Sequence, residues 1–423
     1  MPEDDIKELV RTALNEGFQL HPDLVRAVEE QPELIPKVLE VIKKKKEYGG
    51  GFIIGLKDLE SFGLNLEIDR VNLVISSELS LSDGLQASSF EELNIMLNDR
   101  FRRMKDLWMQ RPNKIPLLRI EYILSKGKEE LWSFVLVLKK VANAKFEIYV
   151  DDGKGTYVLS AASRKIFDEL VPGSCVAVKV NPQNKSITAY EDVEFPEVKR
   201  KPLKGKIAVI SDIMIGRNRV DDLINSVRSS RPDALVLLGN IVSSRSYVSS
   251  GLSPVEGYRR VAELLSEMPK RVLKIVIPGH EDLTGIGLPQ RPPSYRVAKD
   301  LYSLQNTRLL SNPAYVILNG STFFIYHAAH YLRAIKADEQ EALRKMLKMR
   351  HAAPMLGALP VVPSSSDRMI IDPVPERVIA GGGSERVDFV YRGVWTVGVP
   401  SYSTCGCYGL LNLEKETIEW VRV

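Results

Sequence analysis

The chain has 423 residues, 44% apolar and 26% charged, with 58 Lys and Arg against 54 Asp and Glu for a formal net charge of +4. That length predicts two or three domains with full cores, in the ordinary composition of a soluble protein. Three cysteines exclude a disulfide framework. The lack of an apolar run of roughly 18–20 residues excludes a membrane-spanning helix, and so mild a charge permits nucleic-acid contact without arguing for it.

Residues 4–46 read as short helices. Ile6, Leu9, Val10 and Leu14 form one apolar stripe, Leu24, Val25 and Val28 start a second, and Leu34, Val38, Leu39 and Ile42 make a third. Pro22, Pro32 and Pro36 stand where helices begin or break. Lys43, Lys44, Lys45 and Lys46 read either as a solvated helix end that suits the helix dipole or as a phosphate-backbone contact. Gly49-Gly50-Gly51 marks a break, so residues 1–48 are expected to be a separate helical module. Residues 49–114 are expected to be linker and lead-in helix. Within them, 71–76 reads as a strand and the Ser-rich stretch 76–89 as loop. Phe90, Leu93, Leu97, Phe101, Met104 and Leu107 recur at helical spacing.

Residues 115–198 look all-β. Runs at 117–124 and 132–138 are rich in β-formers, and Phe146, Ile148 and Val150 alternate with polar neighbours. A turn at 151–155 leads into 156–159, a short helix is expected at 163–170, and strands at 174–180 and 187–195 close the set. From 132–138 onward these make five strands with a helix between the third and fourth, the order of an OB-fold. Such barrels bind single strands through stacked aromatics, here Trp132, Phe134, Phe146, Tyr149 and Tyr157, several of which fall at core positions. Residues 196–206 are a basic, proline-bearing connector.

From residue 199 onward the chain reads as α/β. Ile207 to Ile210 and Ala234 to Leu238 are continuous apolar runs, as in strands buried on both faces, and a helical stripe (Val220, Leu223, Ile224, Val227) lies between them. Their carboxyl ends carry Ser211-Asp212 and Gly239-Asn240, where open α/β sheets place ligands. A third run, 272–277, ends on Pro278-Gly279-His280-Glu281-Asp282. Later strands are expected at 315–318, 322–326, 378–380, 389–391, 395–399 and 410–413, with an amphipathic helix at 339–350. Cys405-Gly406-Cys407 is too tightly spaced for a zinc knuckle and reads as structural. With Cys175 it suits a reducing cytosol, and the acidic start Pro2-Glu3-Asp4-Asp5 is unlike a signal peptide. A cytoplasmic protein without a membrane partner is expected.

These strand tips resemble the calcineurin-like metallophosphoesterases, whose tips read Asp-x-His, Gly-Asp, Gly-Asn-His-Asp, a lone His and Gly-His-x-His and hold two divalent metals bridged by one Asp. Here Asp212 is kept, Met214 replaces a His and Asn240 replaces the bridging Asp. The third tip has become Gly279-His280-Glu281-Asp282. His327 matches the lone His, and Gly381-Gly382-Gly383-Ser384 keeps neither His of the last motif. The order of helical module, OB-fold and phosphoesterase sandwich is similar to the small subunit of archaeal D-family DNA polymerases and, more distantly, to the B subunits of eukaryotic replicative polymerases. The segments 347–354, 372–375 and 390–394 also resemble that small subunit.

The resemblance implies an α/β plus all-β chain whose metal site is vestigial at Asp212, Met214, Asn240, His280, Glu281, Asp282, His327, Gly382 and Ser384, with no catalytic residue and no cofactor. One divalent ion such as manganese, weakly held by Asn240, His280 and His327, is the alternative. The implied function is that of a non-catalytic accessory subunit. Its partner would be the large catalytic subunit of a DNA polymerase, and it would touch DNA weakly or indirectly. Two rivals stand beside it: a 3′–5′ exonuclease with a weakened or relocated site, to which His330 and His351 would contribute, and a free-standing nucleic-acid-binding protein.

Overall fold

The continuous apolar runs are strands buried on both faces in the computed structural model of the chain, whose described residues are 2–30, 34–48, 52–55, 58–59, 73, 75–79, 90–112, 115–126, 128–216, 220–242, 251–285, 287–355 and 357–423. The chain divides into two compact units, Met1–Val71 and Asn72–Val423.

In the first unit the helices Pro2–Asn15, Pro22–Glu30 and Ile35–Tyr48 close on one apolar core that includes Leu9, Leu24, Val28, Val38 and Ile42. Leu14 leaves the predicted stripe and is 54% exposed. Strand β1 (Gln19–Leu20) pairs in parallel with β2 (Ile53–Ile54), so the module continues past residue 48. Gly49-Gly50-Gly51 lies outside the described residues.

The second unit begins differently from the expected linker. Residues 75–79 form β3 (Ile75–Leu79), an edge strand of a large sheet; the rest of the Ser-rich stretch, 80–89, lies outside the described residues. The predicted helix is Phe90–Met109. Its Met104 and Trp108 pack on Phe134, Leu136, Cys175 and Ala177, on the outside of a barrel.

That barrel is closed by β4 (Leu131–Val141), β5 (Glu147–Asp151), β6 (Thr156–Ala161), β7 (Cys175–Asn181) and β8 (Ser186–Asp192), in the order β4-β5-β6-β8-β7. The helix Arg164–Glu169 lies between β6 and β7, capped by Ser163. One expected strand is wrong. Within 117–124 only Leu117 bridges Trp132, and Ile120–Lys126 is a helix. The Asp152 carboxylate accepts the Ile120 N–H at 3.0 Å, and Ile120 and Ile123, one turn apart, enter the barrel core.

The remainder holds two six-stranded sheets with helices packed on them. The first sheet contains β9 (Lys206–Ser211), β10 (Ala234–Leu238), β11 (Leu273–Ile277) and β12 (Thr307–Leu309), all parallel, and is extended beside β9 by the later pair β18 (Cys407–Asn412) and β19 (Thr417–Arg422). The second contains β13 (Ala314–Leu318), β14 (Ser321–His327), β15 (Arg377–Gly383), β16 (Val387–Tyr391) and β17 (Val394–Pro400), with β3 at its edge. Helices Val220–Ser229, Pro254–Ser266 and Tyr295–Ser303 cover the first sheet, and Glu339–Met349 packs on the second.

Arg100 joins these parts. It is fully buried, and it donates from Nε to Asp367 Oδ2 at 2.5 Å and from Nη1 to the carbonyls of Gly173 (2.8 Å) and Pro354 (2.9 Å). Asp367 also meets His351 Nε2 at 2.9 Å and accepts the Met369 N–H at 2.9 Å. One guanidinium therefore ties the lead-in helix, the barrel and the loops beside the second sheet. Gly173 has φ +83°, and a Cβ there would lie 1.7 Å from the Pro354 carbonyl oxygen, so the contact requires glycine.

Candidate functional site

The tips of β9, β10, β11, β14 and β15 converge on a cavity of about 700 Å³ lined by Asp212, Met214, Asn240, His280, Glu281, Gly382 and Ser384, with Arg333 and Glu339 joining them. Asp212, Met214 and Asn240 have φ of 55°, 43° and 47°, the left-handed region that side chains other than glycine enter at some cost. Gly239 and Gly279 let the tips close. A Cβ at Gly239 would lie 2.4 Å from His327 Cδ2, and one at Gly279 would lie 2.5 Å from Asn240 Oδ1.

Asp212 is buried at the centre. Its Oδ1 meets His327 Nε2 at 3.0 Å and the Asn240 amide Nδ2 at 2.5 Å, and its Oδ2 accepts from Ser211 Oγ at 2.9 Å. Burial alone would raise this carboxyl, but the charge of His327 and the hydrogen bonds from His327, Ser211 and Asn240 hold it below the usual carboxylate value. The Asn240 Oδ1 accepts the Glu281 N–H at 2.8 Å. Because a backbone N–H only donates, this bond fixes the amide orientation and turns the NH2 toward Asp212.

His280 places Nδ1 3.4 Å from Asn240 Nδ2 and Nε2 3.2 Å from Arg333 Nη2. Burial and the neighbouring His327, Arg333 and His330 push its pKa down to about 4, so it is neutral at pH 7. His327 stacks beneath it, with ring centroids 5.6 Å apart.

The reading of one ion at Asn240, His280 and His327 does not fit this arrangement. The Asn240 oxygen faces a backbone N–H, and the His327 Nε2 faces Asp212. Among the described residues no group of three or more His, Cys, Asp or Glu is placed to hold a metal ion. Hydrogen-bond donors stand around Asp212 where cations would be needed.

Asp282 lies behind the cavity rather than in it. Its Oδ1 accepts the N–H groups of Ile241 and Val242, both at 2.9 Å, and its Oδ2 that of Gly279 at 2.8 Å. Burial pushes its carboxyl up to about 6 against these bonds, and its part is to tie the loop after β10 to the one after β11. The last tip is closed by a residue that sequence reasoning missed. Glu339, the first residue of its helix, accepts Ser384 N–H (2.6 Å) and Oγ–H (2.9 Å) on Oε1, and Glu385 N–H (3.2 Å) on Oε2. A Cβ at Gly383 would lie 2.1 Å from Glu339 Oε2, and one at Gly382 would lie 2.8 Å from His327 Cε1. Arg333 was missed as well; nothing in its local sequence says that it faces the tips.

Most of the other expected site residues lie elsewhere, and His330 stands beside the cavity. His351 belongs to the Arg100 cluster, and burial pushes its pKa down to about 4. His330 stands edge-on to His280, with Nε2 buried and without a hydrogen-bond partner. The lysine run serves the first unit. Lys44 pairs with Glu40 at 2.8 Å, Lys46 pairs with Glu16, and Lys45 is 7% exposed and bonds Asp58 (2.7 Å) and the Ile53 carbonyl (2.8 Å). Lys43 and Lys46 are exposed, whereas Lys44 is half-buried and Lys45 buried, so the run does not present four solvated cations together. In the barrel, Trp132 and Phe134 lie in the cluster under the lead-in helix, Phe146 and Tyr157 pack on the core, and Tyr149 is covered by Lys139 Nζ at 4.1 Å from its ring centre. Cys405 and Cys407, read from sequence as structural and not as part of a disulfide framework, are joined as a disulfide, while Cys175 is buried.

Residues 207–388 match the family of DNA polymerase alpha/epsilon B subunits. The DNA polymerase II small subunit of Pyrococcus horikoshii is 27% identical over 80% of this chain and 61% of its own length. That of Methanothermobacter thermautotrophicus is 24% identical over 96% of this chain and 98% of its own. The chain thus spans about three-fifths of the first relative and nearly all of the second. Among solved structures, an archaeal phosphodiesterase is 15% identical, covers 52% of this chain and 99% of its own, and superposes with a TM-score of 0.33. No helix among the described residues is long and apolar enough to cross a membrane. By sequence the chain is similar to the archaeal DNA polymerase II small subunits, and its segment 207–388 is similar to the polymerase B subunits.

Proposed function

We propose that the chain is a non-catalytic accessory subunit that docks on the large catalytic subunit of a DNA polymerase. In this reading the barrel is an OB-fold, the two-sheet region is a calcineurin-like phosphoesterase sandwich without its chemistry, and together they form one docking platform. The observation that carries it is the Asn240 amide, held by the Glu281 N–H with its NH2 on Asp212. Two-metal phosphodiester cleavage needs ions that clamp both the attacking and the leaving oxygen. A bridging carboxylate binds each of them with several kcal/mol; two unit charges about 4 Å apart at an effective dielectric of about 20 interact by roughly 4 kcal/mol. An amide supplies no charge, and here it points its donor end at the remaining carboxylate. The Arg100 cluster supports the platform reading, because it fixes the barrel against the sheets without a metal.

The test joins two measurements on the purified chain. The large polymerase subunit encoded in the same genome is mixed with it and run on a sizing column, and manganese-dependent release of nucleotides from a DNA 3′ end is measured with metal content read from the same sample. A stable complex with no bound metal and no release is expected. Two metals per chain with digestion would overturn the non-catalytic reading, and failure to form a complex would overturn the accessory one.

A further inference from the structure

Residues 199–206 read Lys-Arg-Lys-Pro-Leu-Lys-Gly-Lys, five cations in eight positions with no acid between them. Such a run is usually a mobile, solvated link. Here it is pinned at several points. The Val198 N–H bonds the Arg392 carbonyl at 2.9 Å. Arg200 grips Glu416 with both Nε (2.7 Å) and Nη2 (2.6 Å). At Lys201 the N–H bonds Glu376 Oε2 at 2.5 Å and the carbonyl accepts from Arg377 Nη2 at 3.0 Å. Leu203 is buried, and the Gly205 carbonyl accepts the Leu413 N–H at 2.9 Å.

The pinned run borders a cavity of about 550 Å³ with five cations in its lining, of which Arg200 and Arg377 hold Glu416, Lys201 Nζ donates to the Gly320 carbonyl at 2.8 Å, and Lys204 and Lys415 complete the set beside the exposed Lys199. Three acids line it too. Glu416 is already engaged by Arg200 and Arg377, which leaves Glu197 and Glu414 at its edge. Arg377 is 1% exposed, and its Nε has no hydrogen-bond partner. No aromatic side chain lines the cavity.

We propose that this connector and its cavity are a contact site for the phosphate backbone of duplex DNA. A fixed row of cations releases counterions when phosphates bind, without first having to order the chain. Single-strand sites need faces on which bases stack, and this one has none, so it fits a duplex held by its phosphates and read without regard to sequence. The site is separate from the strand-tip cavity and does not depend on the accessory-subunit reading.

The experiment is fluorescence anisotropy of the full chain with a labelled 20-base-pair duplex between 50 and 300 mM salt. The variants are Lys199→Glu/Lys204→Glu/Lys415→Glu and, with the same change in net charge, Lys128→Glu/Lys145→Glu/Lys154→Glu on the barrel side of the unit. The first set is expected to lose at least about tenfold in affinity and to flatten the plot of log K against log salt by nearly three units, at about 0.9 per contact; the second keeps the parent slope. Lysine acetylation of the unmutated chain, with and without duplex, gives a reading that does not rely on variant folding, and Lys199, Lys204 and Lys415 should be protected. Equal losses in the two triple variants, no protection, or a single strand bound more tightly than the duplex would overturn the proposal.

Discussion

Restoring the bridging carboxylate tests the central claim about the strand tips. In Asn240→Asp an oxygen replaces the NH2 that lies 2.5 Å from Asp212 Oδ1. Two full charges at that distance and an effective dielectric of about 20 would repel by about 7 kcal/mol. The pair avoids that cost by taking up one proton, and its O–H then donates to Asp212 as the amide does. Holding a carboxyl of unfolded pKa about 3.9 protonated at pH 7 costs about 4 kcal/mol, which caps the loss. The sign follows from the raised folded pKa. The variant should match the parent below about pH 4 and fall behind by about 1.4 kcal/mol per unit as pH rises, until the folded pair itself ionises.

Urea unfolding of parent and variant from pH 4 to 8, at matched slopes, reads this directly. A gap that does not change with pH, or no gap at pH 7, would refute the picture of an amide donor held against a lone carboxylate. Manganese at millimolar concentration should narrow the gap at pH 8, because an ion supplies the missing counter-charge, and should leave the parent midpoint unmoved. A parent stabilised by manganese would show that Asp212 and its neighbours hold an ion as they stand.

Arg100→Leu should cost about 3–5 kcal/mol, because it strands a fully buried Asp367 carboxylate, and Arg100→Leu/Asp367→Asn should recover part of that loss in denaturant unfolding. Glu339→Gln puts an NH2 against one of the donors that the carboxylate now accepts. A loss of about 1 kcal/mol and faster hydrogen exchange at the Ser384 and Glu385 amides are expected; unchanged exchange would mean that Glu339 does not close the tip.

The parallel strands were legible because a strand buried on both faces is nearly all apolar: 207–210 and 234–238 are apolar without interruption, and 273–277 is broken only by the buried Lys274. Residues 117–124 were not, because Leu, Ile and Tyr suit either state. What settles them is the Asp152 cap, 32 residues away, and the barrel interior that receives Ile120 and Ile123. The pairing of the lysine run was hidden for the same reason: its partners Glu16 and Asp58 are distant in sequence. At the strand tips the residue types could be read at the ends of apolar runs. Glu339 could not, since a helical stripe does not say which neighbour its first turn faces.

Sequence also left open what would hold the tips together without metals. Loss of the bridging charge alone predicts a slack site, since ions in a two-metal centre hold the tips together as well as the substrate. The tips here are closed. Asp212, Met214 and Asn240 keep left-handed backbones costing on the order of 1 kcal/mol each, and such conformations persist only where surrounding bonds over-determine them. Those bonds are present: Asn240 reaches Asp212 and Glu281, His327 and Ser211 reach Asp212, Ser211 reaches the Gly382 N–H at 2.8 Å, and Glu339 holds Ser384. Each does with a donor or an acceptor of the chain what an ion or its ligand would otherwise do. Asn at 240 is therefore more than a missing charge. An Asp there without metal opens the centre by repulsion and an apolar residue leaves Asp212 short of a donor, whereas the amide fits the Glu281 N–H with one end and Asp212 with the other. Tips built this way keep their shape whatever the metal supply, as the proposed docking role would require.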